Sequence, residues 1–309
     1  MILGRDLPAQ LGFLTLFALG LLLALLLGDA FLWRFLAEAL LIACAVMCTN
    51  LLIGHGGLVT LAQGAVFGTA AYVAAWSSQH LGANLFLILL IGTFSGTLLA
   101  LLLAVLSLRS SGLFFMILTL VCGQLIWEIV FRWREFSGGA DGLRGFPKLH
   151  LGEWTLDQPL GLLFLSWFIA LLGWLVLRSY TRSPAGLALN GLRDQALRMQ
   201  ALGYQLWRIR LQAMLVSGAV SGLAGSLYPF INQYISPAQV HWSFSATLII
   251  MGVIGGVSSL RGAFAGTLIY LFIQTYISSY TERWQLLIGL IFVATVLFMP
   301  NGLIRRRRA

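Results

Sequence analysis

Long apolar runs dominate this chain, and short polar clusters interrupt them at nearly regular intervals. Each run approaches the roughly 17–25 residues an α-helix needs to cross the hydrocarbon core of a bilayer. The runs fall near residues 10–28, 35–53, 63–80, 85–107, 112–132, 159–178, 211–232, 243–258, 263–280 and 285–300. They are continuous rather than alternating, which argues against a transmembrane β-barrel. The pattern predicts an all-α, polytopic transmembrane helical bundle of about ten spans, with residues 1–309 as a single transmembrane domain. The third and eighth runs are Gly-rich or short, so broken or re-entrant helices are expected there. The first run is longer than the apolar stretch of a signal peptide, about 7–15 residues, and no A-x-A-like cleavage site follows it. It is read as a retained span.

Composition agrees with the pattern: 59% of residues are hydrophobic and 9% are charged, against about 25% charged in soluble domains. The net charge of +9 would invite a nucleic-acid partner in a soluble protein, but its placement points elsewhere. Arg178, Arg182, Arg193, Arg198, Arg208 and Arg210 crowd one loop region against Asp194 alone, and residues 305–308 are all arginine. Residues 131–158 carry equal numbers of basic and acidic side chains. Because Lys and Arg are retained on the cytoplasmic side, both arginine-rich segments are expected inside and the neutral loop outside. Ten spans would then put both termini in the cytoplasm. The basic charge is a topology signal, and no nucleic-acid partner is expected.

One motif occurs twice. Gly64, Ala65, Gly68, Thr69 and Tyr72 repeat at the same spacing as Gly262, Ala263, Gly266, Thr267 and Tyr270. Small residues four apart let helix backbones approach closely, which matters in lipid, where apolar surface does not drive helices together. Glycines precede both seams: Gly54, Gly56 and Gly57 in one case, Gly252, Gly255 and Gly256 in the other. Interrupted, repeated segments point to a translocation pathway; close packing alone is the competing account. The seams lie six spans apart and point the same way, which does not fit an inverted repeat.

Residues 183–203 form the main cytoplasmic feature. Ser183 suits an N-cap, Pro184 the first helical position and Gly203 the stop. Ala185, Leu189, Leu192, Ala196 and Met199 share an arc of about 80° on a helical wheel. Asn190, Arg193, Asp194 and Arg198 lie opposite. An amphipathic helix is expected, either resting on the inner leaflet or docking its apolar face into a partner's groove.

Chemistry of its own is scarce. No G-x-x-x-x-G-K-[ST] occurs, and Lys148 is the only lysine, so the chain carries no P-loop ATPase. The ionisable residues in or beside spans are Glu38, Glu128 and His55. Glu128 and Arg132 stand four apart in the stabilising order, a structural pair rather than a proton relay. Gln63 sits inside the first seam, where a helix break would expose it to a pathway; interhelical hydrogen bonding is its plainer role. Cys44, Cys48 and Cys122 read as small buried hydrophobes without metal-ligand company. A Ser–His hydrolase would need His241 to reach Ser258 or Ser259 across about 20 Å of membrane. In the outer loop, Gly138, Gly139 and Gly142 surround Asp141 as turn chemistry, either a docking site for a soluble partner or a plain connection.

Several segments, taken in order, resemble the membrane subunit of the branched-chain amino-acid ABC importers over most of the chain. They are "GLVTLAQGAVFGTAAYVAA", "SGGADGLRGFP", "GLALNGLRDQALRMQALGYQLWRIRLQAMLVSGAVSGLAGSLY", "YISP" with "GVIGGVSSLRGAFAGTLI", and "WQLLIGLIFVATVLFMPNGLI". The resemblance implies an inner-membrane permease that pairs with a homologous second permease. Two cytoplasmic ATPase subunits using ATP and Mg would power it, and an extracytoplasmic solute-binding protein would deliver substrate. This chain would then hold no cofactor or metal. Residues 183–203 take the role of coupling helix, with Ala185, Leu189, Leu192, Arg193, Ala196, Met199 and Gly203 as its coupling positions. Gly57, Gln63, Gly64, Gly68, Gly255, Gly256, Gly262 and Gly266 become the pathway positions. Gly138, Gly139, Asp141 and Gly142 become the docking turn for the binding protein. The chain departs from the family at Gln63, where His is frequent, and around Val59–Thr60; both departures bear on substrate more than on architecture. An ion-coupled carrier or channel working without ATPases is the alternative.

Overall fold

A computed structural model describes residues 28–151, 154–155, 158–280, 283–299 and 302. The expected span at 10–28, the arginines at 305–308 and hence the placement of the termini lie outside the described residues.

The main helices are α1 (Ala30–Asn50), α2 (Gln63–Leu81), α3 (Leu85–Ser107), α4 (Leu113–Arg132) and α5 (Pro159–Arg182). The rest are α6 (Pro184–Asp194), α7 (Ala196–Ala201), α8 (Leu206–Asn232), α9 (Trp242–Gly255), α10 (Gly262–Phe272) and α11 (Trp284–Phe298). Polar residues before the apolar runs start several of them. Asp29 accepts a hydrogen bond from the Phe31 N–H at 3.0 Å and Asn84 one from Phe86 N–H at 3.1 Å, satisfying helix-end donors left without an intrahelical partner. Helix α1 does not stop at Asn50 but widens into a π-helical turn, Leu51–His55, and α10 likewise runs into a π turn at Ile273–Ile277.

Among the described residues, five helical stretches are long and apolar enough to cross a membrane by length and composition: Ala30–His55, Leu85–Ser107, Leu113–Arg132, Pro159–Arg182 and Leu206–Asn232. Three apolar helices are shorter, Trp242–Gly255, Gly262–Ile277 and Gln285–Thr295. Helix α2 is not in either group, since Gln63, Ser77, Ser78, Gln79 and His80 dilute its 19 residues. The chain is a helical membrane bundle, and the ten-span count is not reproduced by helices of spanning length among the described residues.

Burial separates centre from rim. The most apolar windows of α1 and α8 are 78% buried, those of α3 and α4 only 28%. Helix α8 packs against α3, α2 and α1, α1 also against α5, and α9 and α10 against each other and α1. On the rim, Phe86, Leu90 and Phe94 of α3 and Phe114, Leu125 and Ile129 of α4 stand exposed. An apolar outside is unfavourable in water and natural in lipid.

The close approach of α3 to α8 runs through glycines that the seam motif does not include. A Cβ on Gly96 would sit 2.6 Å from Gly222 Cα, and one on Gly222 2.5 Å from the Gly92 carbonyl oxygen. Gly92 and Gly96, like Gly218 and Gly222, are four apart. This is the small-residue rule again, readable from "GTFSG" and "GAVSG".

Among the described residues, the strands form two short pairs in the loops. β1 (Leu143–Arg144) runs antiparallel to β4 (Tyr234–Ile235), with Leu143 opposite Ile235; β2 (His150–Leu151) pairs with β3 (Trp154–Thr155). The first pair ties the loop after α4 to the segment that leads into α9.

Candidate functional site

The two seams do not pack against each other. The first meets the start of α9: Gly64 N–H donates to Ser245 Oγ at 2.8 Å, and a Cβ on Gly68 would lie 2.7 Å from Val240 and 2.8 Å from the Gln239 carbonyl. The second meets its end. A Cβ on Gly266 would overlap the Met251 carbonyl, and Gly255 and Gly262 approach backbone to backbone. Helix α9 is therefore held at both ends by glycine-lined contacts. Of the glycines preceding the seams, Gly57 (φ 64°) and Gly256 (φ 111°) have the left-handed backbone that breaks a helix. Gly252 and Gly255 stay inside α9 and serve packing instead.

Polar groups in the seams are incompletely paired. Gln63 is 3% exposed; its Oε1 accepts from Ser217 Oγ at 3.3 Å, and its Nε2 has no hydrogen-bond partner among the described residues. The same holds for Thr69 Oγ1, Tyr72 OH and the repeat-related Thr267 Oγ1. Buried polar atoms are nearly always paired, and Thr69 and Thr267, which occupy matching positions of the repeat, both depart from that rule.

Residues 183–203 are two helices, not one. Ser183 caps α6 as expected, accepting from Gly186 N–H at 3.3 Å, with Pro184 at the first position. Gln195, at φ −152° and ψ 87°, then breaks the helix before α7. Extended backbone at one residue needs neither Gly nor Pro, so composition carries no signal for it. The apolar arc is largely occupied by the chain itself. Leu189 and Leu192 are buried, and a Cβ on Gly56 would touch Leu189 at 3.3 Å. Met199 folds back over Gly191, 2.8 Å from where a Cβ would stand there, while Ala185 and Ala196 are half-buried. Gly203 (φ 87°) follows the end of α7 with open space around it.

The polar side of α6 is engaged too. The Arg193 guanidinium donates to the Gly54 carbonyl, its methylenes lie over Gly57, and His55 Nδ1 meets Asn190 Oδ1 at 3.2 Å. Helix α6 thus sits against the π turn that ends α1. What remains outward is a different set: Leu187, Leu197 at 83% exposure, Leu202 and Tyr204, among Arg182, Arg198 and Arg208.

In the loop after α4, Gly138 (φ 72°), Gly139 (φ 67°) and Gly142 (φ 71°) have the turn geometry their sequence implies. Gly142 leaves no room for a side chain beside the Ile235 carbonyl, which lets β1 reach β4. Asp141 is exposed. Glu128 pairs with Arg132 on an exposed face. Glu38 accepts from Tyr228 OH and Asn232 Nδ2, both at 3.1 Å, linking α1 to α8. His241 caps α9 beside Ser243, and Ser259 Oγ accepts from Gly262 N–H at 3.1 Å. No hydrogen bond joins His241 to Ser258 or Ser259 among the described residues. Cys44, Cys48 and Cys122 are buried and free, and no His, Cys, Asp and Glu cluster fit for a metal occurs among the described residues.

The family model described as "branched-chain amino acid transport system / permease component" matches residues 31–296, a range that contains both seams, the α6–α7 pair and the loop after α4. The chain belongs to this family. Among curated members of the permease family, the high-affinity branched-chain amino acid transport system permease protein LivM of Escherichia coli (strain K12) is 24% identical over 282 residues. That match covers 84% of this chain and 66% of the relative, so the chain spans just under two thirds of that relative's length. LivM of Salmonella typhimurium gives the same figures. The probable branched-chain amino acid transport permease protein LivH of Methanocaldococcus jannaschii is 26% identical over 304 residues, covering 87% of this chain and 93% of the relative. No solved structure matches the chain. Family and apolar helices together make this permease-family chain a multi-pass membrane protein.

Proposed function

We propose that this chain is a permease subunit of an ATP-driven importer for branched-chain or related small amino acids and forms half of the translocation pathway. The observation that carries the reading is α9 held between two glycine seams, in a chain whose family is a transport-system permease. Backbone contacts without interlocking side chains permit small shifts, and the unpaired Gln63, Thr69, Tyr72 and Thr267 groups offer partners to a polar solute or water during such a shift. A homologous second permease supplies the other half. Two cytoplasmic ATPases, with their ATP and Mg, dock on the outward patch of α6–α7, and a solute-binding protein docks on the Gly138–Gly142 turn. The site is the bacterial-type inner membrane, with the arginine-rich segments and both termini cytoplasmic. The chain acts as a transporter subunit, not an enzyme.

Copurification in mild detergent tests this. The tagged chain, expressed with its neighbouring genes, is expected to bring down an ATPase subunit and a second permease. Leu197→Glu is expected to lose the ATPase alone. Purification without partners, with uptake intact in liposomes lacking ATP, would establish the ion-coupled carrier instead.

A further inference from the structure

We infer that Asn50 is a positioning residue that joins the cytoplasmic helix α6 to the α9–α10 hairpin, through a π turn able to change register. What displaces α6 rests on the importer reading; the linkage itself does not.

Asn50 ends α1 and is 1% exposed. A buried amide must find partners, and the two groups it faces are both carbonyl oxygens, Gly256 at 3.3 Å and Ser259 at 3.1 Å. Only the Nδ2 end can serve them, so the orientation of the side chain is settled by chemistry. These carbonyls frame the turn at which α9 stops and α10 begins, more than 200 positions away in sequence. Beside them, Gly252 leaves no room for a Cβ next to Asn50 Oδ1, which fixes α9 against α1 at that level.

The next residues of α1 face the other way. Gly54 has no room for a side chain against the Val257 carbonyl, while its own carbonyl accepts from Arg193. His55 meets Asn190 of α6 at 3.2 Å. Residues 50–55 therefore have α6 on one side and the α9–α10 turn on the other. The backbone between is where the α pattern gives way to the π pattern. Gly56 N–H divides its hydrogen bond between Leu52 O at 3.1 Å and Leu51 O at 3.2 Å, one the α pattern and the other the π pattern. The shared bond lies at the junction of the two patterns, and an element that can take either is one that two sites can bias. A shift of α6 moves Gly54 and His55, the register follows, and Asn50 delivers the motion to the turn that sets the second seam.

Hydrogen exchange on the full chain in lipid nanodiscs tests the linkage without relying on any energy source. Asn190 makes no hydrogen bond to the 256–261 turn. Asn190→Ala is nevertheless expected to speed amide exchange there about tenfold, and this effect is expected to vanish in an Asn50→Ala background. Unchanged exchange at 256–261 in Asn190→Ala, or effects that simply add in the double variant, overturns the inference. Should Asn50→Ala not accumulate, Asn50→Asp removes the donor at nearly the same volume, and the Asn190→Ala arm decides alone. In proteoliposomes with the partner proteins, Asn50→Asp is expected to lower uptake per ATP hydrolysed about tenfold; a wild-type ratio overturns the linkage. Absence of ATP-driven uptake by the wild-type chain counts against the importer reading only, and leaves the exchange result to decide on Asn50.

Discussion

Gly96 and Gly289 show how differently one residue type behaves within one chain. Gly96 lies against Gly222, with backbone inside the space a Cβ would need, whereas Gly289 has nothing within 4 Å. Gly96→Leu forces α3 off α8 and costs about 1–3 kcal/mol or more. Gly289→Ala, in an exposed turn of α11, removes backbone freedom and gains up to about 1 kcal/mol. Thermal melting in detergent separates them: a clear fall for the first, no change or a small rise for the second. The same contrast divides the α6–α7 positions. Leu192 is 4% exposed and Leu197 is 83% exposed. Leu192→Glu loses core packing worth about 2–5 kcal/mol and buries a charge besides, so the protein is expected to unfold or be degraded. Leu197→Glu is expected to melt as the wild type does and to fail only in retaining an ATPase, as copurification and a melting curve together would report.

At the level of elements, much was legible. The apolar runs end at polar or small residues, so α3 was expected at 85–107 and is found there, and α2, α4 and α9 begin or end within a few residues of expectation. Ser183 and Pro184 announce α6 because capping is local chemistry. The break at Gln195 was not legible, since a single extended residue leaves no compositional mark. Nor were the partners of the seams. A helical stripe of small residues says that a backbone comes close, not which one, and the seams turn out to meet α9 rather than each other. Asn50 belongs to no motif in the sequence; its hydrogen bonds reach across the chain to Gly256 and Ser259, and no spacing rule covers that distance. The seam elements nonetheless support a direct expectation. Gly68→Leu collides with Gln239 and Val240, and Gly266→Leu with the Met251 carbonyl. On the proposed importer reading, both should abolish ATP-driven uptake while some protein remains in the membrane. Wild-type uptake by both variants at normal membrane levels would remove the seams from the transport pathway.

Across the whole molecule, one line of contacts runs from one end of the bundle to the other through the short helix α9. The loop after α4 pairs with β4 just before α9, the seams hold the two ends of α9, and the turn after it leans on Asn50 and the π turn beside α6. Releasing the β4 end should therefore be felt at the α6–α7 end. A substitution such as Gly142→Val, which excludes β1 from the Ile235 carbonyl and strains a φ of 71°, is expected to raise proteolytic cleavage near residues 195–205, on the far side of the bundle. Cleavage confined to the loop after α4 would show that the two ends behave independently.

The backbone contacts at the second seam also have a genetic consequence. At Gly173, an added methyl group would meet the Val220 side chain at 3.0 Å, so Gly173→Ala can be answered by trimming Val220. At Gly255, Gly262 and Gly266 the obstacle is peptide carbonyl, which no codon can shorten. A suppressor screen on Gly173→Ala should return changes at Val220, while one on Gly266→Ala should return almost nothing but the original glycine. The second seam is thus a place where sequence drift has no compensating partner, and descendants of this chain must keep it or lose the helix contact altogether.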